Sequence, residues 1–214
     1  MINGTIGYLV QVGLAIDQNL AYLRSAGKSS MEVTFPKSEI VSLAMKDRSY
    51  GEIYENLAQE RAFSAKLPDG ALMLMRYMFY RGVLQRHNLC FFPAPHLEEF
   101  QSNPEIYLED ELYADVVAKS IVPSPFRFDC DCRDKTAKPV EHPKSHFTVG
   151  QYENCRIPVS SPVTPSCFVS FVLRNFYHTA YTKYVENMPH YQDVFEETII
   201  PQERKLVYLQ IPKS

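Results

Sequence analysis

No established catalytic signature runs through this chain. The P-loop, G-x-S-x-G, the dinucleotide-binding glycine fingerprint and H-E-x-x-H are all missing, so the chemistries they announce have no support. A marked excess of one charge is missing too: a formal net charge of −3 provides no global field for nucleic acid, and any such contact must rest on a local basic patch. The apolar stretch from Ile2 to Leu23 lacks a basic leader and carries Gln11, Asp17, Gln18 and Asn19, the pattern of neither a signal peptide nor a membrane span. A cytoplasmic location and no membrane partner are expected. The five cysteines (Cys90, Cys130, Cys132, Cys155 and Cys167) are an odd set that suits reduced thiols better than a disulfide framework. Internal repeats and low-complexity tracts are also absent.

What is present suits a globular fold, with enough apolar residues over 214 positions for a substantial core. The expectation is one α+β domain over residues 1–214, in which an antiparallel sheet of about five strands is packed by N-terminal helices and a long late helix. Apolar steps of three and four at Leu9, Val12, Ile16, Leu20 and Leu23 predict a helix over about 5–26, and 28–36 reads as loop. A short helix follows from Ser38 and Glu39 to about Lys46, and Ser49 with Glu52 has the spacing of a capping box opening a helix to about Glu60. Phe63–Leu67, Ala71–Tyr80 and Leu84–Phe92, separated by turns at Pro68-Asp69-Gly70 and Gly82, predict a meander. Its middle strand is apolar on both alternating faces, so cover on both sides is expected.

Residues 93–125 form a proline-rich, acidic connection with one helix near 109–119, read as a solvated linker in preference to a partner-binding or autoinhibitory loop. Strands near 126–131, 146–149 and 155–159 follow. Thr164 then caps a helix running from Pro165 to about Val185, and Lys205 to Ile211 adds an edge strand.

Polar chemistry concentrates between Phe126 and Tyr177. Arg127 and Asp129, two apart on one strand, share a face, where they either pair with each other or present an oriented guanidinium to an anion such as phosphate. His142 and His146 flank a proline-containing loop. Two imidazoles there can act as general acid and base on a phosphodiester, with Arg127, Lys144 or Arg156 stabilising negative charge, or they can brace the loop. Cys130, Cys132, His142 and His146 suffice by number for tetrahedral zinc, but the C-x-C spacing counts against it, and neither metal nor cofactor is expected. In the late helix Arg174, Tyr177, Tyr181 and Tyr184 share a face that can stack RNA bases but more commonly packs.

The segments Leu67 to Gly70, Cys90 to Pro95, Arg127 to Asp129, His142 to Arg156 and Pro165 to Tyr177 carry a family resemblance. They resemble the LPDG turn, the FFPAP strand end, the RFD strand, HPxSHxTxGQYxNCRIP and PxxFxxFxxRNFY of a family of uncharacterised bacterial proteins classed as a domain of unknown function. The resemblance implies no settled activity. It takes in His142, His146, Cys155 and Arg156 and leaves out Cys130 and Cys132. The RFD strand followed by H-P-x-x-H also looks like a short pattern in some toxin ribonucleases of toxin–antitoxin modules, an analogy only.

The leading expectation is therefore a metal-independent ribonuclease or toxin-like effector acting on RNA or another phosphate-containing ligand. In it His142 and His146 are acid and base, Arg127 and Arg156 hold phosphate, Asp129 orients a neighbour, and Lys144, Arg174 and Tyr177 assist binding. The alternative is a non-catalytic interaction protein, serving a protein partner encoded in a defence or mobile-island operon.

Overall fold

A computed structural model of the protein describes residues 1–44, 48–95, 124–133, 137–152, 154–189, 191 and 195–212. The elements run α1 (Ile2–Gln11), β1 (Asp17–Gln18), β2 (Tyr22–Ser25), β3 (Ser30–Thr34), α2 (Glu39–Ala44), α3 (Tyr50–Gln59), β4 (Ala65–Lys66), β5 (Leu72–Tyr80), β6 (Val83–Phe92), β7 (Phe126–Asp131), β8 (Ser145–Val149), β9 (Ile157–Pro158), α4 (Pro165–Phe176) and α5 (His178–Tyr184). The connection read over 93–125 lies largely outside the described residues, as does the helix read near 109–119.

The expected meander is the frame of the sheet. β5 and β6 pair from Leu72↔Phe92 to Tyr80↔Val83 across a two-residue turn, Arg81-Gly82, with both residues at positive φ (49° and 81°). That is the geometry in which a tight turn matches the twist of its strands. β7, β8 and β9 extend the sheet from β6 by successive antiparallel pairing, while β3 and β4 share the other edge of β5.

Among the described residues the sheet has nine strands, not about five, because segments read as helix and loop are strands as well. α1 stops at Gln11, where Gly13 takes φ 77° and Leu14 N–H returns to the Leu9 carbonyl at 2.8 Å. The apolar periodicity continues past that stop without a helix to use it, and Ile16, Leu20 and Leu23 are exposed. Residues 28–36 contain β3, whose Glu32 is drawn to the sheet by Arg24 and Arg76. The late helix divides at Tyr177 (φ −135°, ψ 61°), and the expected edge strand at 205–211 is reduced to a single bridge, Val159↔Leu209, after a 3-10 turn over Glu203–Lys205. The capping box at Ser49 and Glu52 and the Thr164 cap with Pro165 at the start of α4 are both formed.

Both faces of β5 are covered, by two separate cores. Met73, Met75 and Tyr77 face α1, α4 and α5, joined by Phe91, Phe126, Phe128 and Phe168. Leu72, Leu74, Cys90 and Phe92 face Phe35, Ile53, Leu57 and Phe63 from the α2–α3 side. On the first face, Tyr77 Oη donates to the Val163 carbonyl (2.8 Å) and Val163 N–H donates to His87 Nε2 (3.0 Å), which pins the chain entering α4. On the second face the α2–α3 cover reaches only part of the sheet. Beyond Cys90 and Phe92 of β6, that face carries mainly polar side chains over β6 to β9 and opens into a cavity. Among the described residues no helix is long and apolar enough to cross a membrane.

Candidate functional site

Strand register builds the site. Residues directly opposite one another in an antiparallel pair project to the same face, so the pairs Arg76↔Asn88, Asn88↔Asp129 and Asp129↔His146 make one polar row across β5 to β8. The adjoining rows are Met78, Arg86 and Asp131 on one side and Leu74, Cys90, Arg127 and Thr148 on the other. The β8–β9 register, His146↔Pro158 and Phe147↔Ile157, carries the last row on to Arg156.

These rows line an open cavity of about 370 Å³, walled on its apolar side by Phe35, Val41 and Leu74. Five arginines border it, Arg76, Arg86, Arg127, Arg133 and Arg156, against Asp129 and Asp131. Four of them are held by carboxylates. Arg76 Nη2 lies 2.5 Å from Glu32 Oε1, Arg127 Nε lies 2.9 Å from Asp129 Oδ2 but is poorly aligned for a hydrogen bond, Arg133 grips Asp131 through two nitrogens (2.9 and 2.6 Å), and Arg86 is 3.7 Å from Asp131. Burial would raise the Glu32 carboxyl, but hydrogen bonds from Arg24 and Arg76 outweigh it and hold it below its ordinary value. Asp131 is likewise lowered, the hydrogen bonds from Arg133 overcoming burial. Arg156, half-buried, has no ion pair among the described residues. Beside it in the register, the buried Thr148 Oγ1 has no hydrogen-bond partner among the described residues.

Asp129 is the hub of the central row. Its Oδ1 accepts from Asn88 Nδ2 at 2.7 Å, and its Oδ2 faces Arg127 and, at 3.8 Å, His146 Nε2. His146 is 5% exposed, and the 3.0 Å contact from its Nδ1 to the Pro143 carbonyl puts the ring proton on Nδ1. Burial lowers its pKa, Asp129 and the Pro143 carbonyl oppose that, and His142 and Arg156 add to it. His142 closes the loop ahead of β8 by a two-way backbone bridge with Lys138, and its ring centre sits 5.1 Å from that of His146. A second depression of about 480 Å³, lined by Lys138, Val140, Glu141, His142, Asn154 and Arg156, shares His142 and Arg156 with the first.

Of the residues singled out from sequence, Arg127, Asp129, His142, His146 and Arg156 therefore meet at one opening, while Lys144, Arg174 and Tyr177 line neither cavity. Lys144 is half-buried, and Arg174 is exposed on α4, which packs on the opposite face of the sheet. Tyr177 is buried in that opposite core, donating from Oη to Asp69 Oδ2 at 2.6 Å. Arg76, Arg86, Asn88 and Arg133 belong to the site and were not foreseen. Their signal is Arg76 breaking an apolar strand, and Arg86-x-Asn88 alternating with buried residues in the next. Among the described residues no group of three or more His, Cys, Asp or Glu has the geometry to hold a metal ion.

Fold and site together define an α+β protein with a large antiparallel sheet, one of whose faces exposes an arginine-rich, histidine-edged opening. The chain belongs to the uncharacterised conserved protein family DUF2290, which it matches over residues 14–211. No curated protein and no solved structure matches it significantly.

Proposed function

We propose that the arginine-lined face binds RNA through its phosphates and cleaves it without a metal. The observation that carries the reading is the gathering of five arginines around an opening with two aspartates, with Arg156 left unpaired among the described residues beside the orphaned hydroxyl of Thr148. Guanidinium groups match phosphate oxygens in shape and charge. The two cavities joined through His142 and Arg156 make a run of polar surface suited to more than one nucleotide, which favours a strand over an isolated nucleotide.

The histidines supply proton transfer. Burial keeps His146 neutral with its proton on Nδ1, so Nε2 is free of a proton and suits a general base that takes one from a ribose 2′-hydroxyl as it attacks phosphorus. Asp129 then stabilises the imidazolium, His142 protonates the leaving 5′-oxygen, and Arg127 and Arg156 bear the charge that develops on the phosphoryl oxygens. The test is incubation of purified protein with mixed RNA in EDTA. Wild type is expected to cleave and the His142→Ala/His146→Ala double variant to lose at least about a hundredfold in rate; equal rates overturn the catalytic reading.

A second reading rests on the bonds already made. Asn88, Arg127 and His146 all address Asp129, as they would in a brace that shapes a docking surface for a protein partner. A stoichiometric partner that survives the histidine substitutions supports it.

A further inference from the structure

The C-x-C pair takes no part in the proposed cleavage, yet its geometry is specific. Cys130 ends the apolar alternation of β7 and is buried, whereas Cys132 follows the strand's last residue and is half-buried. Their Sγ atoms lie 3.2 Å apart, close enough for a thiol hydrogen bond. Cys132 N–H is anchored on the Gln85 carbonyl at 2.8 Å, so the two thiols are held together at the edge of the ladder. We propose that Cys130 and Cys132 form a redox-active dithiol that exchanges with low-molecular-weight disulfides. Its ring encloses Asp131, the carboxylate that holds Arg133 and faces Arg86, so the dithiol adjoins the arginine opening without using its histidines.

The roles follow from access. The hydrogen bond from Cys130 lowers the Cys132 thiol, with Lys144 contributing in the same direction, while Cys130 is raised by that contact and by burial. Cys132 is thus the attacking thiolate and Cys130 the resolving thiol. Cys132 sulfur displaces one thiolate from a disulfide RSSR, giving the mixed disulfide Cys132–S–S–R. Cys130, losing its proton, then attacks the Cys132 sulfur, forming the Cys130–Cys132 bond and releasing the second RSH. Two protein thiols are oxidised by two electrons and one RSSR is reduced to two RSH. Cys155 and Cys167, both half-buried and without a neighbouring thiol among the described residues, are internal controls.

The experiment treats fully reduced protein with oxidised glutathione at pH 7, quenches with acid, alkylates the remaining thiols and maps the products by peptide mass. One internal Cys130–Cys132 disulfide is expected, forming about tenfold faster than glutathione adds to Cys155 or Cys167. In Cys130→Ser the reaction should stop at glutathione on Cys132, and in Cys132→Ser the remaining Cys130 should stay reduced. The wild-type map needs no variant to fold. A stable glutathione adduct on Cys132 with no internal disulfide, or modification of Cys132 no faster than of Cys155, overturns the proposal. RNA cleavage is scored separately, so the failure of either reading leaves the other standing.

Discussion

Tyr177 shows how one side chain separates a stacking role from a structural one. Its hydroxyl donates to the buried Asp69, whose carboxyl is raised by burial and whose Oδ1 accepts the Ala71 N–H. Tyr177→Phe removes a donor from a group that water cannot reach, at a cost of about 2 kcal/mol. Urea unfolding should show that loss while RNA affinity stays unchanged, and a fall in affinity at constant stability would return Tyr177 to the binding surface. His87 gives a pH signature. Burial pushes its pKa from 6.5 down to about 4, Asp129 opposing. An unfolded chain takes up that proton below about pH 6.5 and the folded one only near 4, so the contribution is fully present above pH 6.5 and is lost as pH falls toward 4, at up to about 1.4 kcal/mol per pH unit. His146, also lowered by burial, acts in the same direction. Stability measured between pH 7 and 5 should fall less steeply in His87→Gln than in wild type, whereas parallel curves would contradict the assignment.

At the scale of elements, the turn 68–70 connects the two cores. Gly70 adopts φ 87°, and a Cβ there would meet Tyr54 Oη at 3.0 Å and the Ala94 methyl at 3.1 Å. Gly70→Ala should therefore cost about 2 kcal/mol in thermal or urea unfolding; a neutral result would mean that the turn relaxes freely. The turn was legible in sequence because Pro68, Asp69 and Gly70 each constrain the backbone locally. So were β7, whose Phe126, Phe128 and Cys130 alternate with Arg127, Asp129 and Asp131, and the caps of α3 and α4. β2 and β3 were not. Their residues become strands through tertiary pairing, β3 against the outer edge of β5 and β2 against β3, and the helical spacing from Leu9 to Leu23 carried no sign that Gly13 would end the helix. The same limit applied to the site. Arg127 and Asp129 declared a shared face by spacing, while Arg76, Arg86 and Asn88 joined them only through cross-strand register, which depends on the bulge between Met78 and Phe79.

For the whole molecule, the two faces of the sheet differ in cover. The face under α1, α4 and α5 is closed by aromatic packing, with Phe126, Phe128, Phe147 and Phe171 in mutual ring contact. The other face is closed around Leu72, Leu74, Cys90 and Phe92, and beside them it opens into the arginine-bordered cavity that the proposed reading assigns to phosphate. A formal charge of −3 makes such attraction local, so affinity should fall with salt according to the few phosphates held rather than to the charge of the whole chain. The most direct test is equilibrium binding of a fluorescently labelled 2′-O-methyl single-stranded RNA oligonucleotide, which lacks the attacking hydroxyl and cannot be cleaved by the proposed route, to wild type and Arg156→Ala at fixed ionic strength. Wild-type binding that weakens about ten- to a hundredfold in the variant, with folding unchanged by circular dichroism, is the predicted result. No binding by wild type, or equal affinity in the two proteins, would contradict the assignment of this face to phosphate recognition.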